Sequence, residues 1–134
     1  MLYIFHGDNS SASLTTAQNL LSGLRTKSPA VEIIRLDGDK ITKTDLIEAI
    51  EAPSIFSESR IIYIENLLSR RQSKEKDDLL GYLSKNAATI TIVDWESKTV
   101  TPTTLKKIAG KDTRIQEFKL AKSLFKFLDA FRPG

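Results

Sequence analysis

The chain has no cysteine. That excludes a disulfide framework, a thiol nucleophile and a thiolate metal site. His6 is the only histidine. A lone histidine closing a strand reads as a satisfied, half-buried side chain, and no serine–histidine–acid spacing accompanies it. No apolar run approaches the ~20 residues of a membrane span. The opening residues carry no charged leader or cleavage-site pattern, and the short apolar run 2–6 reads as a strand. The expectation is a cytoplasmic protein with no membrane attachment. Internal repeats and low-complexity linkers are also missing.

At 134 residues the sequence suffices for one domain with one core. The net charge of +3 conceals an asymmetry: residues 1–67 hold 6 basic and 9 acidic side chains, residues 68–134 hold 14 and 8. A basic second half suits either a nucleic-acid or acidic partner or simply solvated helix faces. In "SRRQSKEKDD" (69–78) the bases alternate with acids and no aromatic is interleaved to stack on a nucleobase. This segment is expected to be the most mobile loop.

Apolar runs and helical periodicity alternate along the chain. "LYIFH" (2–6), "VEIIRL" (31–36), "RIIYIE" (60–65), "ATITIVDW" (88–95) and "RIQEF" (114–118) read as strands, the last an edge because it is the most polar. Between them lie four helices. Ser10 and Ser11 are expected to cap the first, Thr44 the second, and Thr101 with Pro102 the fourth; residues 73–85 form the third. A last helix is expected from Leu120 to Phe131, with Leu120, Leu124, Phe127, Leu128 and Phe131 on one stripe and Phe125 off it. Strands alternating with helices predict an α/β fold: a three-layer, mainly parallel five-stranded sheet with helices on both faces.

Ligands of such sheets bind beyond the carboxyl ends of the strands. The loop after the first strand, "HGDNSSASL", supplies Gly7 as the first glycine of a phosphate loop, but Ala12, Ser13 and Leu14 stand where glycine, lysine and a hydroxyl residue belong. Gly7, Asp8, Asn9 and Ser10 therefore form a degenerate nucleotide loop that is not expected to bind. The third strand ends in Glu65-Asn66 in place of a metal-holding acid pair. Asp8, Asp37, Asp39 and Asp94 also fall at strand ends. Converging, they would hold magnesium for a metal-dependent phosphoryl-transfer or nuclease-like enzyme; separately, they are turn formers and caps. Trp95 is expected to pack at the sheet edge.

"EAPSIFSESR" (51–60) holds two large apolar side chains, Ile55 and Phe56, in an otherwise polar connection after the helix-stopping Pro53. Turned inward they would plug the sheet. Turned outward, with Pro53, Ser54 and Ser57 as a polar rim, they would anchor a partner's pocket.

Four stretches in order, "LYIFHGDNS", "IIRLDGDK", "LIEAIEAPSIFSESRIIYIENL" and "ATITIVDW", resemble the N-terminal domain of the delta subunit of bacterial DNA polymerase III, part of the clamp loader. The resemblance spans nearly the whole chain. It implies an AAA+-like domain that has lost its phosphate loop, no catalytic residues, no cofactor and no metal. It also implies that a Leu-Phe-type pair plugs a pocket on the sliding clamp (the beta subunit). That role falls on Ile55 and Phe56, where isoleucine departs from leucine by branching at Cβ. Partners would be the clamp and the other loader subunits, with DNA met only indirectly. Residues 1–134 would form one domain, the N-terminal part of a longer protein with further helical domains.

Overall fold

The computed structural model describes residues 1–52 and 60–120. Nine elements alternate: β1 (Leu2–His6), α1 (Ser10–Lys27), β2 (Glu32–Asp37), α2 (Lys43–Glu51), β3 (Arg60–Glu65), α3 (Lys74–Asn86), β4 (Thr91–Trp95), α4 (Pro102–Ile108) and β5 (Thr113–Glu117). The strands form one sheet in the order β2-β3-β4-β1-β5, and every neighbouring pair is parallel. The polar β5 lies at an edge, as its sequence implied.

The order dictates which face each helix takes. From β1 the chain crosses outward past β4 and β3 to β2, so a right-handed crossover puts α1 on one face. It then steps back through β3 and β4 and passes β1 to reach β5. Reversing direction with the same hand puts α2, α3 and α4 on the other face. There Leu46, Leu79, Leu80, Leu83 and Ile108 pack on Leu2, Ile4, Ile62, Ile64 and Ile92. On the α1 face, Ala17 and Leu21 pack on Phe5, Ile61, Tyr63 and Val93. The central strands are thus buried on both sides, which is why they read as continuous apolar runs.

Local boundaries differ from the sequence reading for identifiable reasons. Asn9, not Ser10 or Ser11, caps α1: its Oδ1 accepts from Ala12 N at 3.2 Å. Thr42, not Thr44, caps α2. A capping box needs its acid three residues on, and Asp45 returns the bond by accepting from Thr42 N at 2.9 Å. β4 begins at Thr91, three residues late, because the Thr89 and Ile90 amides donate to Asn86 O at the end of α3. Thr101 and Pro102 open α4 as expected, but the helix ends at Ile108, before Gly110. The last helix, from 121 onward, lies outside the described residues.

The segment expected to be loose is tied down. Ser73 caps α3 by accepting from Lys76 N. Arg70 donates to Ile41 O at 2.7 Å and Gly38 O at 3.3 Å, and the buried Lys76 ammonium donates to Arg70 O at 2.6 Å. Burial holds that lysine's pKa below its usual value.

Candidate functional site

Connections leave β1 and β4 in opposite directions, so the crevice between their carboxyl ends is the place where a sheet of this kind takes a ligand. Here the chain itself closes it. Gly7 N donates to Lys98 O, Glu96 N to Phe5 O, and Val100 N to His6 Nδ1. From the β5 side, Phe118 N donates to His6 O, Asn9 N to Phe118 O at 3.0 Å, and Leu120 N to the Asp8 carboxylate at 2.7 Å.

A phosphate cradle is a hollow lined by free amides at a helix N-terminus. In the loop before α1 the Gly7 and Asn9 amides are engaged by carbonyls, and Asp8 adds a negative charge. Gly7 is required for close approach and for conformation. Its φ is +131°, and a Cβ there would lie 2.1 Å from Phe118 O. The four loop residues, Gly7, Asp8, Asn9 and Ser10, thus sit together at the crevice mouth, where Asp8 and Asn9 hold the segment leaving β5.

His6 is buried and accepts through Nδ1, which leaves its proton on Nε2. Burial lowers its pKa, opposed by the carboxylates of Glu117 and Glu96. It is a structural acceptor, as its isolation in the sequence implied.

The strand-end acids do not converge. Among the described residues no three His, Cys, Asp or Glu side chains are grouped to hold a metal ion. Asp37 folds back to accept from Asp39 N at 3.1 Å, an Asx turn. The next residue, Gly38, packs so tightly that a Cβ would lie 2.4 Å from Leu67 N. Glu65 accepts from the Tyr63 hydroxyl at 3.1 Å, and burial raises the pKa of that phenol. Trp95 ends a central strand, not the sheet's lateral edge, and donates Nε1–H to Ser13 Oγ on α1.

Asn66, read in the sequence only as half of a failed metal pair, and Glu96, unnoticed there, organise this end of the sheet. Asn66 adopts φ +61° after β3, and its Oδ1 accepts from the Ser97 amide and hydroxyl. Glu96, fully buried, accepts from the Leu68 and Ser69 amides and from Ser69 Oγ. It joins the β4 loop to the β3 loop. Beside it Asp94 is buried between Ile4 and Ile64 in register. Burial first, then the charge of Glu96, raises the Asp94 pKa well above the usual carboxylate value. Its two oxygens meet no donor, as expected of two facing carboxyl groups until one is protonated and donates to the other. Only the "DWE" spacing, with both acids on one strand end, hinted at the pair.

Ile55 and Phe56, expected from the sequence to anchor a partner, lie with Pro53, Ser54 and Ser57 outside the described residues. Their flanks are tied together by Arg60. The Arg60 guanidinium, at the start of β3, donates to Ala49 O and Ala52 O of α2, and pairs with Glu32 on β2 at 3.7 Å. One side chain therefore joins both elements that border the connection.

A parallel α/β domain of nucleotide-binding type with its phosphate loop degenerate and self-filled defines the class. The family model described as DNA polymerase III, delta subunit, matches residues 3–128, and the chain belongs to that family of clamp-loader components. No curated protein sequence matches. Among solved structures, the Bacillus subtilis DNA clamp loader delta protein is similar in fold, with TM-score 0.59 and 19% identity over 94% of this chain and 41% of that one. Saccharomyces cerevisiae RIF2 gives TM-score 0.58 at 12% identity, covering 89% of this chain and 48% of that one. A subunit from the Drosophila ORC bound to DNA gives 0.51 at 14%, covering 96% and 28%. The chain thus spans less than half the length of these structures. None of its described helices is long and apolar enough to cross a membrane.

Proposed function

We propose that this domain binds the sliding clamp and helps open the ring for loading onto DNA, without hydrolysing ATP itself. The observation that carries the reading is the delta-subunit match over residues 3–128. The self-filled crevice supports it, since the Gly7 and Asn9 amides and the Asp8 carboxylate are bound within the chain. ATP-derived work falls to other clamp-loader subunits, the domain's further partners, and DNA is met only through the assembly.

The contact with the clamp is assigned to Ile55 and Phe56, rimmed by Pro53, Ser54 and Ser57. The Arg60 bonds to α2 give that connection a stiff base. Burying the two side chains in a pocket contributes about 1.5–3 kcal/mol each. The clamp's distorted, open interface is favoured only by the difference in affinity for open and closed states.

The experiment is calorimetric titration of the chain with its own clamp, wild type beside Ile55→Ala/Phe56→Ala. At least roughly tenfold weaker binding by a folded double mutant is expected. Equal affinity removes the pair from the interface, and no binding by the wild type removes the reading.

A further inference from the structure

Basic groups are used differently on the two faces of the sheet. On the face of α2, α3 and α4 they are engaged within the chain. Arg60 meets Glu32 and two α2 carbonyls, Arg70 meets Glu75 and the Ile41 carbonyl, and Lys107 meets Asp77. On the other face, α1 carries no acidic residue in its 18 positions, although residues 1–67 as a whole are net acidic. Between α1 and β2 runs a groove of about 420 Å³, floored by Leu21 and Ile33 and edged by Gln18, Ser22, Arg25 and Arg35. Both arginines are exposed, and the four ion pairs among the described residues involve neither.

We propose that this groove binds an acidic segment of a partner protein, whose carboxylates pair with Arg25 and Arg35. Charge complementarity selects the occupant. Each guanidinium presents a fork of N–H donors that matches the two oxygens of a carboxylate. Arg35 is already positioned for this. It pairs with Tyr63 across β2 and β3, and its guanidinium lies over that buried ring, 5.2 Å from the centroid. A guanidinium held on a fixed ring loses less freedom on binding than a free side chain does.

The chain offers these arginines no acid of its own on this face. Asp37 and Glu65 lie two residues further along the same strands, and each already accepts a bond, from Asp39 N and from the Tyr63 hydroxyl. Gln18 and Ser22 add neutral donors, and Leu21 with Ile33 offers an apolar floor to the methylenes of a glutamate. A nucleic acid fits less well. Its regularly spaced phosphates call for a track of basic groups, and the Tyr63 ring is buried beneath Arg35, where it cannot stack on a base.

The test follows the anisotropy of dye-labelled hexaglutamate titrated with the 134-residue chain at low salt, where such pairs are least screened. Wild type is expected to bind, and Arg25→Gln/Arg35→Gln to bind at least roughly tenfold more weakly. Arg71→Gln/Lys74→Gln removes the same charge elsewhere and is expected to stay within about twofold of wild type. No binding by wild type, or equal weakening by the two pairs, overturns the proposal. Arg25→Glu leaves the Arg35–Tyr63 contact alone and should weaken binding with an unchanged melting curve. Binding that falls only in variants whose melting curve also falls would make the arginines supports of the fold. Tighter binding of a single-stranded oligothymidylate than of hexaglutamate, lost with the same two arginines, would give the groove to nucleic acid instead.

Discussion

Replacing Asp94 by asparagine should change how stability depends on pH, in a direction the structure dictates. The carboxyl is 1% exposed, lies between Ile4 and Ile64, and faces Glu96, whose charge is held by two amides and a hydroxyl. Its folded pKa is therefore raised above the ordinary 3.8. Above that ordinary value the unfolded chain has released the proton while the folded chain keeps it, so the folded state binds one proton more. Stability must then fall as pH rises, by about 1.4 kcal/mol per pH unit, until the pH reaches the folded pKa and the loss levels off. The amide introduced by Asp94→Asn offers Glu96 a permanent donor and carries no titrating proton.

Urea midpoints measured from pH 4.5 upward should show the wild type losing ground to the variant as pH rises, for as long as the pH stays below the folded pKa. The pH at which the difference curve levels off reads that pKa. His6 titrates with the opposite sign, since its lowered pKa removes stability as pH falls below the ordinary 6.5. It is present in both proteins, so the difference isolates Asp94. Parallel curves across the whole range would refute the claim that Asp94 is neutral in the folded protein.

Gly7→Ala should cost at least about 2 kcal/mol in chemical denaturation, because a Cβ meets the Phe118 carbonyl carbon, nitrogen and oxygen within 2.7 Å and the backbone φ is positive. Gly23→Ala, where an added Cβ meets nothing within 4 Å, is the control and should be neutral or stabilising. Thr42→Ala removes the side-chain half of the capping box and should lose about 1 kcal/mol, read from the same urea midpoints. ATP with magnesium should leave the melting temperature unchanged in thermal-shift measurements. A rise that grows with ATP concentration would mean that the crevice opens to nucleotide.

Element types and their order were legible in the sequence because they rest on local periodicity. Continuous apolar runs marked strands buried on two faces, and i, i+3, i+4 spacing marked the helices over them. The failed phosphate loop was legible for the same reason, since a missing lysine needs no tertiary information. The proposed anchor pair Ile55 and Phe56 also stood out locally, as apolar side chains in a polar connection, although which way they point is a tertiary matter.

Other features belong to the fold alone. Sequence could not say that the Gly7 amide would be closed by Lys98 and the Asn9 amide by Phe118, both far along the chain. Nor could it say that Glu96 would be buried to hold Leu68 and Ser69, or that Arg60 would reach back to Ala49 and Ala52. Charged residues carry no periodicity that distinguishes a buried tie from a solvated face. Their role is set by which strand ends the right-handed crossovers bring together. That juxtaposition turns a loop with the outline of a phosphate site into a seam that holds β1, β4 and β5 in place.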